Sequence, residues 1–228
     1  MKQGNIVNLL HINDCLRNAH GRQGWWPLEN KYLGKNNLSS LEQFEVCVGA
    51  LLTQNISWKN VELALDNLRS QGLLDPEKLF RVKIARVGEL IRPCGYFNQK
   101  AKKLQVFTNY FLQAHRKWST KNTQELRAEL LSLWGVGPET CDSILLYAVE
   151  RPIFVVDAYT RRILSALGYI HENATYEVVQ SFFMKELCLD VALFKEYHAL
   201  IVAHAKVCCK KNDVLSENCV LRKFKGHE

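Results

Sequence analysis

Apolar residues recur at helical spacing through most of the chain. Leu41, Phe44, Val48, Leu51 and Leu52 mark one stripe; Leu104, Phe107, Phe111 and Leu112 mark a second; Val191, Phe194, Tyr197, Ile201 and Val202 mark a third. Stop signals fall between the periodic stretches: Gly34 with Asn36 and Asn37, Gly72 with Pro76, Pro93 with Gly95, Gly135 with Gly137 and Pro138, Pro152, and Gly168. The pattern predicts about ten helices of ordinary length. The one strand-like run, Ile153-Phe154-Val155-Val156, is too short and isolated to build a sheet, so the expected fold class is all-α. No repeat of solenoid period and no low-complexity segment is present. The tail from Lys206 to Glu228 is rich in charge and turn residues and is expected to wrap the surface or fray.

Composition narrows the class. With 228 residues, 47% of them hydrophobic, the chain can bury a sizeable core in one large domain or two small ones. Lys and Arg outnumber Asp and Glu by 30 to 23, giving a net charge of +7 that would attract a polyanion, although many basic proteins bind none. There is no charged-then-apolar leader and no apolar run near the ~20 residues needed to cross a bilayer, so a cytoplasmic protein without membrane partners is expected. In that setting the eight cysteines read as thiols rather than a disulfide framework.

The most informative segment is Leu130-Leu131-Ser132-Leu133-Trp134-Gly135-Val136-Gly137-Pro138-Glu139-Thr140-Cys141, followed by a helical stretch from Asp142 to Val149. Gly-Val-Gly can turn sharply and lets a phosphate approach the backbone, because neither glycine carries a Cβ. Pro138 suits the first turn of the next helix, whose exposed N–H groups favour an anion. Taken alone this is equally an ordinary helix–turn–helix corner. Twenty residues past Gly137 comes Asp157, at the end of the apolar Ile153–Val156 run and ahead of a helix with stripe Ile163, Leu164 and Leu167. An N-cap is the common reason for an Asp at a helix start. That role is compatible with catalysis, since a helix N-terminus favours a fixed negative charge of the kind that stabilises a developing cation.

Leu-Trp-Gly-Val-Gly-Pro-Glu-Thr at Leu133 to Thr140, with Phe-Val-Val-Asp at Phe154 to Asp157, resembles the helix-hairpin-helix, Gly/Pro-rich loop and aspartate signature of the endonuclease III superfamily of DNA glycosylases. Leu51-Leu52-Thr53-Gln54-Asn55 is similar to the family loop whose glutamine fills the stack vacated by a base. Gly95-Tyr96-Phe97-Asn98-Gln99-Lys100-Ala101 is similar to a family segment that lies near DNA. The ordered matches run from about Phe44 to Asp157, with weaker similarity to about Cys219. The resemblance implies a base excision repair enzyme acting, as a nucleoid-associated monomer, on double-stranded DNA containing a damaged base. It implies two helical lobes, one continuous from 38 to 149 and one formed by 1–37 with 150–228, with DNA across the cleft between them. Asp157 would be the catalytic residue, and Gln54, Lys100, Gly135, Val136, Gly137, Glu139 and Thr140 would contact DNA.

In the bifunctional glycosylase–lyases of this family a hairpin lysine attacks the sugar and forms an imine. The matching position here is Glu139, and a carboxylate cannot take that route. The chain therefore resembles the monofunctional members, in which the aspartate assists water. Trp25-Trp26-Pro27, followed by Phe44-Glu45 and Gly49-Ala50, resembles the 3-methyladenine DNA glycosylase III-type branch, whose base pocket is aromatic. A tryptophan pair near an N-terminus commonly anchors a core, and Phe44 also fits its helix stripe. By the resemblance Trp25, Trp26, Pro27 and Phe44 would line the pocket, where electron-rich rings attract an alkylated, cationic purine by up to ~2 kcal/mol when desolvated. Such a base is also a good leaving group, which suits a site with one carboxylate.

Many family members hold a [4Fe–4S] cluster on a C-x6-C-x2-C-x5-C run. Starting from Cys209, that spacing lands on Ser216, Cys219 and Lys225, so two thiolates are missing and no cofactor is expected. A zinc ion on Cys208, Cys209, Cys219 and either His198 or His204 fits no standard module. The family hairpin also binds a monovalent cation through carbonyls that match Leu131, Leu133 and Val136. Lys100, Lys102, Lys103, Lys206, Lys210 and Lys211 are candidates for phosphate contact or a solvated face. Two other functions compete: a bifunctional glycosylase with AP-lyase activity on oxidised pyrimidines, and a non-catalytic DNA-binding module.

Overall fold

The computed structural model describes residues 5–208 and 214–225. Its elements are α1 (Asn5–His20), α2 (Ser40–Leu52), α3 (Trp58–Ser70), α4 (Pro76–Arg81), α5 (Ile84–Leu90), α6 (Phe97–Ala114), α7 (Thr123–Leu131), α8 (Pro138–Ser143), α9 (Ala158–Ala166), α10 (Tyr176–Glu186) and α11 (Val191–Cys208). Among the described residues there is no strand, only an isolated bridge between Leu28 and Lys31. No helix of the described residues is long and apolar enough to cross a membrane.

The helices begin where local chemistry tells them to. Ser39 and Glu42 form a reciprocal capping box ahead of α2, and Asn122 and Glu125 do the same ahead of α7. Asp75 caps α4 with Pro76 just inside it, and Thr175 caps α10. Each cap satisfies backbone donors that a helix start leaves unpaired.

The chain divides into two compact units. One is Trp26–Arg151; the other joins the described residues up to Trp25 with those from Pro152 onward. In the Trp26–Arg151 unit α2 and α6 pack through Phe44 and Phe111, whose ring centroids lie 5.0 Å apart, and Trp118 meets Phe111 edge-on at 5.3 Å. Segment 26–37, expected from the sequence to join the N-terminal helix, belongs here instead. The reason is Trp26: its indole fills the space over Gly49, where a Cβ would come within 2.9 Å of Cζ2. It also stands edge-on to Trp58 at 5.1 Å and tilted on Tyr147 at 5.3 Å. Asn30 then donates to Asp66, and the Asn37 N–H donates to Glu150.

In the second unit α11 packs against α1 and α9. The apolar run 153–156 shows why a strand-like sequence need not pair in a sheet. Side chains spaced one turn apart along α10 satisfy its backbone: Tyr176 Oη accepts the Val156 N–H, Gln180 donates to the Phe154 carbonyl at 2.7 Å, and Met184 sulfur accepts the Phe154 N–H. Phe154 stacks on Phe183 with centroids 3.7 Å apart. The run is thus sealed against one helix and delivers the chain to the start of α9.

The same unit holds a buried polar chain. His20 and His204 share a hydrogen bond of 2.9 Å, and His204 Nε2 lies 3.3 Å from the Cys219 thiol. Burial, reinforced by His20, pushes His204 down to about 4 from an ordinary value of 6.5. Because the folded state resists the proton, this stabilisation is complete above 6.5 and is lost as pH falls through 4. Urea unfolding is expected to lose up to about 3 kcal/mol across that window, and His204→Gln should remove this part of the slope. An identical pH dependence in the variant would refute the assignment.

Candidate active site

Asp157 ends the sealed 153–156 run and is the N-cap of α9. Its Oδ1 accepts the Thr160 N–H at 2.7 Å and the Thr160 hydroxyl at 2.8 Å, which fixes the carboxylate plane. Its Oδ2 faces His198 Nε2 of α11 at 3.8 Å, and the side chain keeps 13% of its surface exposed. One oxygen is therefore committed to holding the group, and the other is turned to His198. Burial lowers the pKa of His198, opposed by the charge on Asp157. A neutral imidazole beside the carboxylate adds no positive charge where a cation would develop.

The sequence offers His198 only as a conceivable zinc ligand and gives no sign of its place beside Asp157. Four residues after Phe194 and three before Ile201, it lies on the apolar stripe of α11. Glu196, on the same helix, accepts the Gln23 and Gly24 backbone N–H groups at 2.7 and 3.4 Å and so pins the chain just before Trp25.

Within the Trp26–Arg151 unit the turn from α7 to α8 has the shape its glycines predict. Gly135 takes φ +88°, a conformation that side chains rarely adopt, and the Val136 N–H donates to the Leu133 carbonyl to close the turn. A Cβ on Gly137 would meet no atom within 4 Å, so space over this backbone is open. Val136 is buried, while Glu139 is exposed in the first turn of α8. Of the cation-site carbonyls, that of Leu133 is engaged by Val136; Leu131 is the last residue of α7. The helices flanking the turn are clamped: Arg127 Nε and an Nη donate to the two oxygens of fully buried Asp142 at 2.7 and 3.1 Å.

Gln54 reaches this turn. Its Nε2 donates to the Gly135 carbonyl and to the Thr140 hydroxyl, each at 3.0 Å, while its Oε1 accepts from Lys103 Nζ at 2.5 Å. Lys100 does not match its expected place against DNA. It is 3% exposed, and its ammonium donates to the Leu52 and Cys94 carbonyls at 2.8 Å each, tying the end of α2 to the turn before α6. Burial holds its pKa below that of a surface lysine. Lys100 thus ties the end of α2, where the Gln54 loop begins, to the turn before α6.

The proposed pocket residues divide. Trp25 is half-buried at the end of one unit; Trp26 and Pro27 are buried at the start of the other. Phe44 is fully buried, with its ring against Phe111 of α6. In the tail, Cys209, Lys210 and Lys211 lie outside the described residues. Cys219 is buried with its thiol turned to His204, Ser216 is half-buried, and Lys225 is exposed. This donor set does not suit a four-thiolate cluster.

Comparison with known proteins places this geometry. Residues 48–188 match the model of the HhH-GPD superfamily of base excision DNA repair proteins. The chain is 44% identical over 229 residues, 98% of each chain, to a Methanocaldococcus jannaschii protein provisionally named a DNA repair glycosylase. It is 25% identical over 182 residues to the endonuclease III of Sulfolobus acidocaldarius, covering 79% of this chain and 80% of that one. Among solved structures, the Helicobacter pylori 3-methyladenine DNA glycosylase MagIII, bound to 1,N6-ethenoadenine, superposes with a TM-score of 0.71 at 27% identity over 87% of this chain and 97% of that one. An endonuclease III–DNA complex shares the fold, with a TM-score of 0.75 at 17% identity over 96% and 94% of the two chains. The chain is an endonuclease III-like member of the HhH-GPD superfamily of base excision repair DNA glycosylases.

Proposed function

We propose that this glycosylase is monofunctional and hydrolyses the N-glycosidic bond of an alkylated purine, such as 3-methyladenine, extruded from double-stranded DNA. The observation that carries the reading is the Asp157 carboxylate, with one oxygen tied to α9 and the other turned to His198. As the C1′–N bond breaks, its electron pair leaves with the base and positive charge grows on the sugar. Oδ2 stabilises that charge and orients a water; the water oxygen bonds to C1′ and its proton passes to the carboxylate. A base made cationic by alkylation leaves readily, so no second acid is required.

Other features support the same reading. Glu139 offers no amine at the hairpin, and the Lys100 ammonium is occupied by two carbonyls. The MagIII structure carries an etheno adduct of adenine, a purine with modified base nitrogens, and this chain keeps the Trp25-Trp26-Pro27 segment. Extrusion costs a few kcal/mol, least for a lesion that pairs poorly. The reaction is hydrolytic throughout, runs on a monomer, and routes no step through an iron–sulfur cluster.

The test is to incubate the protein with methylated duplex and with duplex containing oxidised pyrimidines, and to separate the released bases by chromatography. Free 3-methyladenine and intact abasic strands are the expected products. Borohydride added during turnover should trap no protein–DNA adduct; a covalent adduct would overturn the monofunctional assignment in favour of a glycosylase–lyase.

A further inference from the structure

The amide of Gln54 is fully occupied inside the protein. Both hydrogens of Nε2 are used, by the Gly135 carbonyl and the Thr140 hydroxyl, and Oε1 takes the Lys103 ammonium. Lys103 reaches it by crossing the hairpin glycine: a Cβ on Gly135 would lie 2.5, 2.7 and 2.9 Å from Lys103 Cγ, Cδ and Cε. The side chain therefore lies flat over Gly135, in a track that exists only because this residue lacks a side chain. Gly135 has a second reason to be glycine in its φ of +88°. Lys103 is half-buried, so its charge is neither sunk in the core nor freely solvated.

A glutamine that must enter a duplex has to give up these bonds first. The hydrogen bond from an ammonium is the strongest of the set, since charge-assisted bonds are about twice as strong as neutral ones. We propose that Lys103 is a positioning residue that latches Gln54 onto the hairpin in the DNA-free enzyme, so that filling of a gap in the stack requires release of the Lys103–Gln54 bond. The proposal rests on the reading of Gln54 as the residue that fills that gap. The latch keeps the amide from being spent on undamaged duplex, and it links the glutamine to the backbone expected to meet phosphate, because one side chain touches both.

The measurement is the ratio of duplex affinities, Kd for undamaged DNA over Kd for the same duplex with a tetrahydrofuran abasic analogue. Lost phosphate attraction weakens both and cancels in the ratio; freeing Gln54 strengthens only the second. Lys103→Met keeps the methylenes that lie on Gly135 and removes the ammonium, and it should raise the ratio about tenfold. Lys103→Arg keeps a charged donor and should leave the ratio near that of the parent. In a Gln54→Ala background, where the ratio itself should fall, Lys103→Met should have no effect. A ratio unchanged or lowered by Lys103→Met, in protein whose circular dichroism melt matches the parent, overturns the latch. If Gln54→Ala alone leaves the ratio unchanged, the gap-filling reading fails and the latch falls with it.

Discussion

Asp157→Asn is expected to lower the single-turnover rate of base release about 10³-fold while leaving duplex affinity intact. The substitution is nearly isosteric and separates the two duties of the residue. An Asn at an N-cap is about as good as an Asp, so its Oδ1 can still accept the Thr160 N–H and hydroxyl, and α9 should start where it does now. Only the atom facing His198 changes, from a charged acceptor to a neutral donor, and a neutral imidazole can accept from it. The negative charge that would balance the developing sugar cation is gone, and so is the base that would take the water's proton. Quench-flow on a methylated duplex measures the rate, and fluorescence anisotropy measures binding. A variant retaining more than about a tenth of the parent rate would remove Asp157 from the chemistry and leave it a helix cap.

Much of this arrangement is legible in sequence because it depends on backbone chemistry with a local signature. Gly135-Val136-Gly137-Pro138 announces a turn through conformations that few other residues adopt, and Asp157 announces a helix start three residues before the N–H it caps. The caps at Ser39, Asn122 and Thr175 belong to the same class. What is not legible is where a side chain points once its helix is packed. Lys100 and Lys103 sit three residues apart in one basic run, yet one is buried on two carbonyls and the other lies over a glycine. Nothing in the run itself separates them, because the difference is set by α2 and by the hairpin, distant in sequence. The pairing of His198 with Asp157 escapes for the same reason: the two are remote along the chain, and nothing local to either residue signals the other. Trp26 was legible as an aromatic anchor, but its unit was not, since that depends on the absence of a side chain at Gly49.

Arg127→Leu is expected to cost about 3–5 kcal/mol of stability. The asymmetry of the pair sets the size. Asp142 is wholly buried in α8, whereas the guanidinium on α7 keeps 24% of its surface exposed. Removing the arginine takes both of these donors from a carboxylate that has no exposed surface, and breaking a buried ion pair from one side carries most of the penalty. The mirror change, Asp142→Leu, leaves a cation that can turn toward solvent and should cost less. Replacing both with apolar residues of similar volume should recover most of the loss, since an apolar pair needs no desolvated charge to be compensated. Because α7 and α8 flank the turn at Gly135, the single Arg127→Leu variant should also weaken duplex binding at temperatures where it remains folded, and the double variant should restore it. Urea titrations of the four proteins, read as a double-mutant cycle, measure the coupling, and additive effects would show that Arg127 and Asp142 do not stabilise one another; duplex binding unchanged in folded Arg127→Leu would show that the clamp does not hold the hairpin.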